Sequence, residues 1–127
     1  MSGPFIVVSR SRIKPGKAEA YALWCEEFCR YVEQNEPRLL AFNIYETEDR
    51  GTSVVVQVHP DAESMEFHLK LYGEKVRETF DHVEVESLDI CGAPSETLEQ
   101  WLRHGVPDLP VALIRVHRAG FTRLEAA

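Results

Sequence analysis

Two histidines, His59 and His68, stand in the stretch HPDAESMEFHLKLYGEKVRETF over residues 59–80. They are the side chains best suited to move a proton at neutral pH. Imidazole changes charge near ~pH 6.5, so it can accept a proton from a phenolic hydroxyl. His68 falls three residues after Met65 and four before Tyr72. At helical spacing it borders an apolar stripe and can face a cavity beneath the helix. It reads either as a general base there or as a histidine hydrogen-bonded at the edge of the core. His59 and His68 with Asp61 or Glu63 also suggest a metal site. However, the spacing fits no common ligand pattern, and no cysteine or second helical histidine completes one. No metal and no cofactor are expected.

Other polar residues lie in apolar surroundings. Asn43 and Gln57 would donate hydrogen bonds to a substrate oxyanion if they faced the helices, or satisfy one another if they faced a partner. With Phe42/Ile44 and Val54/Val56/Val58 as the helix-facing set, both are expected on the partner side, in a structural role. Cys25 and Cys29, four apart on one helix, are either a redox pair or small packing groups beside Trp24 and Phe28; packing is favoured. Trp24, Phe28 and Tyr72 can line a pocket for an aromatic ligand or simply form core. The chain has no Gly-rich phosphate loop, no Gly-x-Ser-x-Gly and no CxxC, which argues against nucleophilic catalysis and nucleotide binding.

The elements that must position these groups follow from periodicity. Phe5–Ile13 reads as a strand closed by Pro15-Gly16. From Lys17 to about Asn35, Tyr21, Trp24, Phe28 and Val32 recur at helical spacing, and Pro37 ends that helix by Glu36. Leu39–Glu46 and Ser53–His59 read as strands joined by a turn at Glu48–Gly51. Asp61 is placed to cap a second helix running to about Phe80, with Met65, Leu69, Tyr72, Val76 and Phe80 on one side. Val83–Ile90 is a fourth strand. The order β-α-β-β-α-β predicts an α+β, ferredoxin-like sheet with helices on one face.

Several of these strands are apolar on both faces: Val7, Ala41, Tyr45 and Val55 stand opposite to Val8, Leu40, Ile44 and Val56. Something must cover the second face, and a two-fold copy presenting the same surface is the economical solution, so a homodimer is expected. Beyond Cys91, Ser95 can cap a short helix to His104 with Gly105 just past its end. Pro107 and Pro110 bracket a loop, and Val111–Arg118 reads as a fifth strand. The chain is read as one domain, with a core over residues 4–91 and a helix–strand extension over 92–127. This extension either lengthens the sheet or reaches a partner.

Bulk composition narrows the function. The 127 residues carry 14 basic and 21 acidic side chains, a net charge of −7. The basic residues are scattered, densest over Arg10/Arg12/Lys14/Lys17, and nucleic acid is not an expected partner. No apolar run approaches the ~20 residues of a membrane span, and the opening segment lacks the charged n-region of a signal peptide. Three cysteines, an odd number, read as reduced thiols in a cytoplasmic protein.

Val7–Arg12 followed by Ile13-Lys14-Pro15-Gly16-Lys17 resembles the opening of antibiotic biosynthesis monooxygenase domains. Asn35-Glu36-Pro37 before the second strand is similar to the family's Glu-Pro-Gly, and Phe67-His68-Leu69 to its His-Leu on the second helix. The resemblance covers about residues 4–91. It implies a dimeric α+β barrel with a small pocket between helices and sheet, and oxygenation of quinols or small aromatics without metal or flavin. His68 would then be the catalytic base, and His59, Tyr72, Trp24 and Phe28 would contact a small hydrophobic or aromatic ligand. A non-catalytic dimer that binds a small ligand is the alternative. The chain departs from the family pattern at His59, where an aromatic is usual, and at Tyr72-Gly73, where a second histidine is common. Haem-degrading relatives use a Trp on or near the second helix, and its absence here weakens a haem reading.

Overall fold

A computed structural model describes residues 3–104 and 108–123. Gly105, Pro107, the last four residues and the side chain of Val76 lie outside the described part, and with them the expected cap after His104. Strand β1 (Phe5–Ile13) is followed by helix α1 (Ala18–Asn35), strands β2 (Ala41–Glu46) and β3 (Thr52–His59), and helix α2 (Ala62–Glu78). A short 3-10 turn, Thr79–Asp81, leads into β4 (Val83–Cys91), helix α3 (Glu96–His104) and β5 (Val111–Ile114). The last strand ends four residues earlier than the sequence pattern suggests, since Arg115 to Arg118 leave the sheet.

Local chemistry explains most boundaries. Gly16 takes φ +78° in the turn after β1, a conformation that costs glycine little. Asp61 caps α2 by accepting the Ser64 N–H at 3.0 Å, and Ser95 caps α3 by accepting the Leu98 N–H at 3.1 Å. Gly92, at φ +125°, turns the chain out of β4 where an added Cβ would come within 2.9 Å of the Phe5 ring.

The five strands form one sheet in the order β2-β3-β1-β4-β5. The first four pair antiparallel, which is the ferredoxin-like arrangement, and β5 joins the outside of β4 in parallel. The extension therefore lengthens the sheet. Its helix also packs on the same side as α1 and α2: Leu98 and Leu102 share a buried cluster with Phe5, Val7, Met65, Leu69 and Ile90.

That cluster corrects one expectation. Val7 is the helix-facing member of its pair, and register carries the assignment across the sheet: Val7 pairs with Gln57, and Gln57 with Phe42. The helix-facing set on β3 is therefore Ser53, Val55, Gln57 and His59, while Val54, Val56 and Val58 turn to the other face. Asn43, paired with Val56, lies on that other face as expected. The physical reason is that the more apolar face of β3, Val54/Val56/Val58, is the one turned away from the helices, so alternation alone points the wrong way; its strand partners decide which side meets the helices.

Candidate functional site

Pro37 disfavours helical geometry in the residue before it. Glu36 accordingly leaves α1 at φ −128°, ψ 76°, with its N–H still bonded to Val32 O. This turn sends its carboxylate inward to α2. His68, on the buried side of α2, donates from Nδ1 to Glu36 Oε2 at 2.6 Å. The pair is almost fully enclosed, with side chains 2% and 1% exposed. Removing two such groups from water is expensive unless each satisfies the other. Glu36 Oε1 has no hydrogen-bond partner among the described residues, an unusual state for a buried carboxylate oxygen.

Rings hold the His68 imidazole in place. Phe28 and Tyr72 meet it edge-on at 6.0 and 5.3 Å between centroids, and Phe42 lies tilted at 5.8 Å. With Nδ1–H committed to a carboxylate, Nε2 of the neutral ring is left as a lone-pair acceptor. It has no hydrogen-bond partner among the described residues, and His68 lines a cavity of about 120 Å³ between helices and sheet. Trp24, Phe28 and Met65 wall the helix side, Phe42, Val55 and Gln57 the sheet side. Trp101 and Leu102 of α3 and Leu109 of the following loop line it too. The space is that of roughly one aromatic ring, since a cavity of ~150 Å³ admits benzene.

His59 occupies a different environment. It is fully buried, and both ring nitrogens are engaged: Nδ1 with Ser64 Oγ at 2.8 Å and Nε2 with Gln57 Oε1 at 3.0 Å. Burial, reinforced by the neighbouring His68, pushes its pKa down to about 3. It stands behind Gln57 and does not line the cavity. Of the other residues singled out from the sequence, Trp24 and Phe28 line the cavity, whereas Tyr72 packs behind them and donates its hydroxyl to Tyr31 O at 3.2 Å.

The remaining titratable groups nearby are poor bases or nucleophiles. Tyr21 shares a hydrogen bond with Ser53 Oγ at 2.7 Å, and burial raises its phenol above the usual range. Burial pushes the Cys25 thiol up to about 11 and raises Cys29 as well, against a reactive pair. Among the described residues, no cluster of three potential metal ligands occurs, and no helix is long and apolar enough to cross a membrane.

Two residues escaped the sequence reading. Glu36 had a visible signal, the proline that forces it out of α1, yet the direction of its side chain depends on α2. Gln57 is expected from strand alternation on the partner side, whereas register turns it to the helices.

The family model for antibiotic biosynthesis monooxygenase matches residues 4–82. No curated protein matches the sequence. Solved structures share the fold. MupZ from Pseudomonas fluorescens is 17% identical, with TM-score 0.75, covering 97% of this chain and 91% of its own. Rv0793 from Mycobacterium tuberculosis is 15% identical at TM-score 0.61, covering 74% of this chain and 98% of its own. A third structure, of an antibiotic biosynthesis monooxygenase, is 18% identical at TM-score 0.59, covering 72% of this chain and 99% of its own. The coverage of MupZ extends over the α3–β5 region.

Proposed function

The chain belongs to the antibiotic biosynthesis monooxygenase family, and from that premise we propose that it is a cofactor-independent monooxygenase of a small aromatic or quinol-like substrate. The observation that carries this reading is the buried Glu36–His68 pair, with Nδ1 held by the carboxylate and Nε2 unpartnered beside an apolar cavity. In the proposed reaction Nε2 takes the substrate's hydroxyl proton, and Glu36 stabilises the imidazolium that results. The substrate anion passes one electron to O₂. Combination of the radical pair forms a C–O bond, and the proton from His68 completes a hydroperoxide. Loss of water, using the hydrogen remaining on that carbon, leaves a carbonyl. The balance is one O–H and one ring C–H of the substrate plus O₂ to a quinone carbonyl plus H₂O, with no external reductant.

Oxygen uptake with a panel of hydroquinones, corrected for spontaneous oxidation, tests the assignment. His68→Ala is expected to lower the rate by about 10²-fold or more. Equal rates in the two proteins would remove His68 from the mechanism. A non-catalytic ligand-binding module instead gives no uptake above the protein-free rate for any member of the panel.

The protein is also read as a homodimer. The support is the sheet face turned away from the helices, where Ile6, Val8, Val54, Val56 and Val58 are part-exposed and Tyr45 is 60% exposed. Light scattering should return twice the chain mass, and Val56→Lys should return one.

A further inference from the structure

Gln57 stands on the sheet wall of the cavity, paired with Val7 on one side and Phe42 on the other. Its Oε1 lies 3.0 Å from His59 Nε2. A carboxamide oxygen can only accept, so that nitrogen must carry the hydrogen. The ring is completely buried and has no carboxylate on either nitrogen, so it holds a single proton, and its Nδ1 is a bare acceptor. Ser64, 2.8 Å away and itself buried, must therefore donate its hydroxyl into Nδ1. Ser64 is in turn fixed in the first turn of α2 by its N–H bond to Asp61 Oδ1 at 3.0 Å. The donors run one way, from Ser64 through His59 to Gln57. They tie down the carboxamide oxygen and leave the amide nitrogen, with two N–H groups, as the free end. That nitrogen has no partner among the described residues and belongs to a side chain that lines the same cavity as His68.

Deprotonation inside a largely apolar cavity leaves charge on a poorly solvated oxygen, and a prealigned N–H donor is the economical way to stabilise it. We propose that Gln57 donates to the substrate oxygen whose proton His68 removes, and that His59 and Ser64 are positioning residues that aim it. The ligand class this selects is a one-ring phenol or quinol bound as its anion, in preference to an apolar ring of the same size. This inference rests on the cavity and on His68 as base; it does not depend on the later reaction with O₂.

The test is binding of 4-nitrophenol, whose anion is coloured, against nitrobenzene, the same ring without the hydroxyl. Spectrophotometric titration reads the first and equilibrium dialysis the second. In Gln57→Leu, 4-nitrophenolate affinity should fall about tenfold or more, while nitrobenzene affinity stays within about twofold. His59→Phe keeps a ring of similar shape without its N–H, and should shift the same ratio in the same direction. The double variant should be no worse than Gln57→Leu alone, because both remove one interaction. Parallel loss of both ligands, additive losses, unchanged nitrophenolate selectivity or no binding by the wild type would each overturn the proposal. Hydroquinone oxygen uptake, measured on the same proteins, separates the two readings. No uptake with intact nitrophenolate selectivity overturns the oxygenase and leaves the phenol site standing.

Discussion

His59 and His68 lie 6.2 Å apart, ring centre to ring centre, and are both nearly inaccessible to solvent, yet they are built for different work. His59 sits between two neutral partners, a hydroxyl and a carboxamide, which consume its donor and its acceptor. His68 has a carboxylate on one nitrogen and a cavity at the other. The carboxylate stabilises the positive ring that forms when a proton arrives; around His59 the nearby Asp61 is outweighed by burial and by His68. Residue type and burial are the same in the two cases, so the partner on the second nitrogen makes the difference between a base and a fixed hydrogen-bond relay.

The largest expected effects break the charged side of this comparison. Glu36→Leu or His68→Leu alone leaves a buried polar partner unsatisfied and should cost about 3–5 kcal/mol. The double Leu variant should recover much of that, because a well-packed apolar pair replaces an enclosed carboxylate–imidazole pair. Urea unfolding of the four proteins measures it, and a double variant as unstable as the sum of the singles would show that the pair is not coupled.

The next effect sharpens the neutral side. An unfolded His59 takes up a proton below about pH 6.5, whereas the folded one resists until about 3. Stability from this source is intact above pH 6.5 and declines as pH falls through that window, by up to about 1.4 kcal/mol per pH unit. His59→Phe should therefore lose stability less steeply than the wild type between pH 6 and 4. Identical acid slopes in paired denaturation curves would contradict a neutral His59.

Ser64→Ala strips the donor from His59 Nδ1 and should cost about 1–3 kcal/mol at pH 7 by thermal or urea unfolding. At the bottom of the scale, the solvent-facing Arg12–Glu84 ion pair serves as the reference for charge without burial. Arg12→Ala should change stability by less than about 1 kcal/mol, with oxygen uptake unaltered.

Much of this was legible in the residues. The order of strands and helices, the turn at Glu48–Gly51 and the caps at Asp61 and Ser95 all rest on local rules, which act within a few positions of the chain. What was illegible depended on distant partners. In the run Ser53–His59 the apolar face, Val54/Val56/Val58, turns away from the helices, so its alternation pointed Gln57 to the wrong side; β1 and β2 decided that through register. The extension after Cys91 offered a helix and a strand but no address. Pairing of β5 with β4 placed it, and it brought Trp101 and Leu102 to the cavity wall.

By itself the sequence determined the α+β architecture, the end of α1 at Glu36 and the position of His68 beside an apolar stripe. These follow from helical and strand periods and from the backbone restriction before Pro37. Only the tertiary structure decided that Glu36, 32 positions before His68 in the chain, would be the carboxylate against its ring. It likewise decided that His59 would be consumed by Ser64 and Gln57. The first contact joins distant segments, which no local spacing encodes; Gln57 and Ser64 lie only 2 and 5 positions from His59, but the face of β3 on which they meet was set by its strand partners.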